Sequence, residues 1–244
     1  YMTVAERKLI LETVIEETNG RVPVIAHVGA LVMPDAAALA RHAQDAGADG
    51  IASIIPPLYR STTSIVDYFT ALGAAAPECP LFTYIFGGPV DAVALMQAMM
   101  NIPTLAGSKY TGPNMHEFRR IIDLGGGQWT VFSGMDEQCL FAAMFGASGN
   151  IGSTLNYMAG PYREMHKAVA AGDQAKGVDL QLRVNRITAL LISVGFMGAL
   201  KAVMTELGYD CGSTRLPNAM LPQEQWQALF AQLHAAGFQE LTEM

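Results

Sequence analysis

Lys109 is the residue of this sequence best placed for covalent chemistry. It sits in Leu105-Ala106-Gly107-Ser108-Lys109-Tyr110-Thr111. The stretch from Ile102 to Gly107 is short and apolar, with Pro103 at its start and Gly112-Pro113 beyond its end. It reads as a buried strand with a lysine at its C-terminal end. Burying an ammonium group is costly, and burial pulls a lysine pKa down. A lysine lowered in this way is partly a free amine at neutral pH, and a free amine attacks a ketone to form a Schiff base. A second reading of the same residue is a strand-end lysine whose stem lies on apolar surface while its head reaches water.

The elements around it alternate. Thr3-Val4-Ala5-Glu6 is a capping box, so a helix starts at Thr3 and carries Leu9, Ile10, Val14 and Ile15 at helical spacing. Val22 to Val28, Gly50 to Ile55, Pro80 to Phe86, Trp129 to Ser133 and Gly149 to Ser153 read as further strands. Helices are expected between them, at Pro34 to Ala46, Ser61 to Ala75, Val90 to Met100, Asn114 to Leu124 and Asp136 to Phe145. Beyond Tyr157 only helices follow, at about Tyr162 to Ala170, Asp173 to Val194, Gly198 to Gly208 and Pro222 to Ala236. Short, nearly all-apolar strands alternating with helices describe a parallel sheet covered by helices. The leading architecture is an α/β fold, a (β/α)8 TIM barrel, with residues 1–160 as the barrel portion and 161–244 as a helical extension packed on it. A doubly wound sheet is the alternative, but no Gly-x-Gly-x-x-Gly turn follows any strand. Closing eight strands needs one or two strands ahead of Tyr1.

In such a barrel the C-terminal strand ends form the active site. Those ends offer His27, Pro57-Leu58-Tyr59, Tyr84, Lys109-Tyr110-Thr111, Gly134, Asp136-Glu137 and Ser153-Thr154. A lysine, a tyrosine, two carboxylates and several hydroxyls are therefore expected at one mouth. Each has a plainer reading. On spacing alone Tyr84 reads as a half-buried strand tyrosine with its hydroxyl at water. Asp136 and Glu137 also suit the N-terminal end of a helix. His27 has no carboxylate at a clear partner spacing and reads as a satisfied buried histidine.

Composition narrows the classes. The chain has 244 residues, 51% hydrophobic and 15% charged, enough for one large core. A net charge of −7 with no basic run argues against nucleic acid as a partner. No apolar run has the ~18 residues of a membrane span. Cys79, Cys139 and Cys211 form no metal-ligand pattern and fit free thiols in a reducing, cytoplasmic compartment. Met96, Met99 and Met100 read as core filling.

Several stretches together carry a family resemblance. They are His27-Val28-Gly29-Ala30, Gly47-Ala48-Asp49-Gly50-Ile51-Ala52, the Tyr84 strand, Gly107-Ser108-Lys109-Tyr110-Thr111, Gly134-Met135-Asp136-Glu137-Gln138, and Gly146 to Tyr157. The chain resembles the N-acetylneuraminate lyase and dihydrodipicolinate synthase family of class I, pyruvate-handling aldolases, nearest the sialic acid lyase branch. The resemblance implies that Lys109 forms the Schiff base with the ketone carbon and that Tyr84 relays the proton of the aldol hydroxyl. It implies that Asp136, Glu137 and Ser153 hydrogen-bond sugar hydroxyls, with Thr111 and Gly134 lining the same pocket. Pyruvate and a 2-keto sugar acid are the implied small molecules, with no cofactor or metal, and the usual assembly is a homotetramer.

Three departures stand out. The family's Gly-(Ser/Thr)-Thr-Gly-Glu loop, which grips the pyruvate carboxylate, falls by the resemblance before Tyr1. The strand after Tyr84 reads Ile85-Phe86-Gly87-Gly88-Pro89, a shortened form of a loop that shapes the aldehyde side of the pocket. Leu58, followed by Tyr59, stands where many members carry a tyrosine donated to a neighbouring subunit. The sequence thus leaves two alternatives to a sialic acid lyase: an aldolase for another 2-keto sugar acid, and a truncated, non-catalytic barrel.

Overall fold

The computed structural model describes residues 2–87 and 90–244; Tyr1, and Gly88 and Pro89 of the turn expected after Phe86, lie outside the described residues. The chain divides into two compact units, with Met2–Phe132 in one and Ser133–Met244 in the other.

In the first unit, parallel strands alternate with helices. The order is α1 (Val4–Thr18), β1 (Ile25–His27), α2 (Met33–Asp45), β2 (Gly50–Ile54), α3 (Thr62–Ala75), β3 (Leu81–Phe86), α4 (Ala92–Met99), β4 (Leu105–Thr111) and α5 (Met115–Gly125). β5 (Thr130–Ser133) carries the boundary. Each of β1 to β3 pairs in parallel with the next in chain order. The helices start where capping side chains occur: Thr3 closes a full capping box, and Ser61, Asp91 and Asn114 each accept a backbone N–H three residues on. The faces of α2 to α4 bury Leu39, Ile65, Phe69, Leu72, Met96 and Met99 against the sheet. Met100 is exposed, so the methionine run is only partly core. α1 departs from its apolar pattern, with Leu9, Ile10 and Val14 exposed and no residue fully buried. It is held by polar contacts instead. Arg7 donates to the carbonyls of His27 at 2.6 Å and Gly29 at 2.9 Å, and Glu12 meets His42 at 2.7 Å.

Two strand boundaries differ from expectation. Ile102 to Thr104 form a turn, and β4 begins at Leu105 and runs through Thr111. Lys109 is therefore inside the strand, two residues before its end, and the ladder stops just ahead of Gly112-Pro113. β1 is likewise only Ile25–His27.

The second unit is mainly helical. It holds a 3-10 turn at Asp136–Gln138, α6 (Cys139–Met144), β6 (Gly149–Asn150), α7 (Leu155–Ala171), α8 (Gln174–Ser193), α9 (Phe196–Glu206), α10 (Gln223–Ala235) and α11 (Phe238–Thr242). The strand expected from Gly149 to Ser153 is two residues long, and Ile151 donates to the carbonyl of Ser133 at 2.9 Å. α7 begins at Leu155 and kinks at Met158, three residues before Pro161. Proline lacks the N–H the helix needs and crowds the carbonyl four residues back. Gly195, at φ 100°, ends α8 in a conformation that favours glycine, and α9 leaves at 115° to α8. Met158, Tyr162, Met165, Val184, Ile187 and Leu233 are central to the core of this unit. No single helix among the described residues is long and apolar enough to cross a membrane.

Candidate functional site

Tyr84 and Lys109 are partners across the β3–β4 ladder. Side chains alternate between the two faces of a strand, so register decides which residues meet. The opposite face fixes that register. Thr83 and Ser108, both fully buried, share a hydrogen bond of 2.9 Å, and Ser108 also donates to the Thr83 carbonyl at 3.2 Å. With Thr83 and Ser108 turned toward the helices, Tyr84 and Lys109 must turn the other way together. The Lys109 ammonium lies 4.0 Å from the centre of the Tyr84 ring. The negative face of an aromatic ring attracts a cation at this range. Both side chains are half-buried. Phe86, exposed, stands edge-on to the Tyr84 ring at 6.1 Å.

Gly107 makes this strand possible. A Cβ there would lie 1.8 Å from the Thr130 carbonyl oxygen, so β5 approaches β4 too closely for any side chain. Thr111 is buried at the end of β4, and its carbonyl accepts from the Gly87 N–H at 2.8 Å.

His27 is exposed rather than buried, yet its ring nitrogen is occupied. Nε2 accepts from the Ile54 N–H at 3.1 Å, which leaves the proton on Nδ1. Its pKa falls to about 4, first through desolvation of the ring, then through the nearby cations Arg7 and Lys109. A neutral, acceptor-bonded imidazole is a fixture of the β1–β2 connection rather than a base. Beside the ends of β2 and β3 lies a cleft of about 510 Å³, lined among others by Ile54, Tyr59, Arg60 and Phe86.

In the second unit Asp136 is buried at the start of the 3-10 turn. Its Oδ2 accepts from the Thr154 N–H at 3.0 Å and from the Thr154 hydroxyl at 2.6 Å. Its backbone carbonyl accepts from Gln181, and that of Glu137 from Asn185, both at 3.1 Å. Gly152 is forced by this carboxylate, since a Cβ there would fall 1.6 Å from Oδ1. The same negative charge adds to burial in raising the Cys139 thiol to about 12 and in pushing the Tyr162 phenol above its ordinary range. Glu137 is half-buried and Ser153 exposed, and Gly134 lies between β5 and the turn. Thr154, Gln181 and Asn185 were not singled out as structural supports by the sequence pattern, because their partners lie 18, 45 and 48 residues away.

The sequence pattern of the dihydrodipicolinate synthetase family matches residues 1–236. The chain belongs to that family. A curated N-acetylneuraminate lyase of Mus musculus is 32% identical over 248 residues, covering 97% of this chain and 78% of that protein. The Homo sapiens N-acetylneuraminate lyase is 30% identical over 254 residues, covering all of this chain and 79% of its own length. Among solved structures, Proteus mirabilis N-acetylneuraminate lyase superposes with a TM-score of 0.92 at 31% identity, over 97% of this chain and 82% of that one. These relatives and this neighbour are carbon–carbon lyases, and the Proteus mirabilis structure shares the fold described above.

Proposed function

We propose that this family member is a Schiff-base aldolase, a carbon–carbon lyase that cleaves N-acetylneuraminate to N-acetylmannosamine and pyruvate. The observation that carries the reading is the Lys109–Tyr84 pair, an amine 4.0 Å from a phenol ring on adjacent strands. The lyase relatives at about 30% identity over nearly the whole chain support it. On this reading the strands belong to a (β/α)8 barrel.

The roles are those the family resemblance implies. Lys109, as the free amine, adds to the ketone carbon and loses water to give a protonated imine. That imine withdraws electrons from the adjacent carbon–carbon bond. Tyr84 relays the proton leaving the aldol hydroxyl through the substrate carboxylate. The bond breaks, the aldehyde departs, and the electron pair remains as an enamine on Lys109. Protonation of the enamine carbon and hydrolysis release pyruvate and restore the lysine. Asp136, Glu137 and Ser153 contribute hydrogen bonds to sugar hydroxyls, which both accept and donate. Thr111 and Gly134 complete the lining. A cytoplasmic homotetramer is the assembly we expect.

A second reading, an aldolase for a different 2-keto sugar acid, is favoured by one observation. Phe86 places an exposed aromatic ring beside Tyr84, where the resemblance puts the aldehyde side.

The test is reductive trapping. The protein is incubated with pyruvate, treated with borohydride, and examined by intact mass and peptide mapping. The expected product is a reduced pyruvate adduct on Lys109 that Lys109→Met lacks. A folded sample that forms no adduct overturns the reading. A panel of sialic and other keto sugar acids then separates the two substrate classes.

A further inference from the structure

Behind the Lys109 strand lies a polar cluster that the mechanism does not use. Tyr110, next to Lys109, points to the helix-covered side and is almost fully buried. Its hydroxyl donates to Glu117 Oε2 at 2.5 Å. The other oxygen of that carboxylate, Oε1, accepts from the Ala92 N–H at 3.0 Å, at the first residue of α4. Glu117 is itself held in place, because its N–H donates to the capping Asn114 side chain at 3.1 Å. Gly112 opens the space, since a Cβ there would meet the Tyr110 hydroxyl at 2.5 Å. Burial, then the bond to Glu117, pushes the Tyr110 phenol above its ordinary range, so it stays a donor at working pH. One carboxylate thus joins the start of α4, which follows the Tyr84 strand, to the end of β4, which carries Lys109. The Gly87 N–H to Thr111 carbonyl bond joins the same two connections at 2.8 Å.

We propose that Glu117 is a positioning residue that clamps the β3–α4 and β4–α5 connections together through Ala92 and Tyr110, and so sets how tightly the site holds the sugar-acid substrate. The inference rests on the aldolase reading for its effect on substrate. The clamp itself stands on the hydrogen bonds. Lys109 is held by the strand ladder and not by Glu117, so forming the pyruvate Schiff base does not depend on the clamp. Holding the longer substrate against the connection after Tyr84 does.

The test compares wild type with Glu117→Ala and Glu117→Gln. For Glu117→Ala, KM for the cleaved keto sugar acid rises about tenfold while kcat changes less than about threefold. Borohydride trapping of pyruvate on Lys109 stays within about twofold of wild type. Glu117→Gln keeps an oxygen for the Ala92 N–H and reverses the second bond, its amide N–H donating to the Tyr110 phenol oxygen, and returns KM to within about threefold. Equal losses in trapping and cleavage, or no change in either, overturn the proposal. A second arm needs no substrate. Amide exchange at Ala92 and Gly87 is measured in wild type and Glu117→Ala, and both amides exchange faster in the variant. Unchanged exchange overturns the clamp whether or not the protein is an aldolase. A wild type that forms no pyruvate adduct removes the aldolase reading and the substrate effect with it, while the exchange arm still decides the clamp.

Discussion

The two groups of candidate side chains are built by opposite means. Lys109 and Tyr84 stand on neighbouring strands, and their meeting follows from a ladder whose rear face is locked by Thr83 and Ser108. Asp136 stands on an irregular turn, and its place is set by side chains reaching in from distant loops and helices: Thr154, Gln181 and, through Glu137, Asn185. Regular backbone hydrogen bonding holds the first group, and side-chain hydrogen bonding holds the second. The first should therefore resist loss of a single polar contact and fail only when the strands are forced apart. The second should fail one contact at a time.

Two glycine substitutions break that comparison most sharply. Gly107→Ala drives a methyl group to 1.8 Å from a backbone oxygen of β5, so a strand must shift. We expect a loss of about 4 kcal/mol or more, the range of severe core overpacking, with Lys109 trapping lost alongside stability. Gly152→Ala meets the Asp136 carboxylate at 1.6 Å, a side chain that can move only by giving up Thr154. Here the expected loss is smaller, about 2–3 kcal/mol, the cost of stranding buried polar partners. Denaturant unfolding measures both, and pyruvate trapping on Lys109 should survive Gly152→Ala. If Gly152→Ala is the more damaging of the two, the contrast between the groups is wrong.

The difference also explains what the sequence could show. The strand ends, capping residues and alternation of the first unit are local signals, read from neighbours a few residues apart. Even there, β4 runs two residues past Lys109, and the need for Gly107 at the close approach of Thr130 is visible only in the fold. The exposure of Leu9, Ile10 and Val14 on α1 was illegible too, since periodicity marks an apolar face without saying what covers it. Around Asp136 the stretches Gly134 to Gln138 and Gly146 to Tyr157 draw attention to Asp136 and Thr154, which the fold joins by hydrogen bonds, but Gln181 and Asn185 carry no mark on an ordinary helix. Glu117 reads as first-turn helix charge, and only the fold shows it reaching Ala92 and Tyr110.

Substitutions that delete one hydroxyl sharpen the comparison at lower cost. Thr154→Val removes the donor to Asp136 and the contact with Tyr162, at 2.6 and 2.8 Å. With a buried carboxylate losing a charge-assisted bond, about 1.5–3 kcal/mol should be lost. Ser108→Ala leaves the ladder intact, and Thr83 keeps the Met96 sulfur at 3.2 Å as an acceptor, so about 1 kcal/mol is expected. The double variant Thr83→Val with Ser108→Ala removes both hydroxyls and should cost less than the sum of the singles, because no polar group is left stranded. A double-mutant cycle by thermal or urea unfolding checks this. A Ser108→Ala loss as large as that of Thr154→Val would count against the ladder as the main support of Lys109.

His27 gives the smallest effect and the one with a pH signature. Its folded-state pKa is about 4 and its unfolded value near 6.5, so the folded protein binds fewer protons between those limits. Where the unfolded state binds more protons, stability rises with pH. The contribution of His27 is thus fully present above about pH 6.5 and is lost progressively as pH falls toward 4. Because the ring is exposed, solvent screening reduces the effect to on the order of 1 kcal/mol. His27→Gln removes the titration but offers the Ile54 N–H an amide oxygen instead. The difference in unfolding free energy between wild type and this variant should therefore change over pH 6.5 to 4, with wild type losing ground as acid is added, and stay flat from pH 7 to 8. Carboxylates titrate equally in both proteins and cancel in the difference. A difference that is flat throughout would mean that protonated His27 is as well accommodated as the neutral ring. The Ile54 N–H would then not require His27 as its acceptor, and the β1–β2 connection would owe its position to Arg7 and the strand ladder alone.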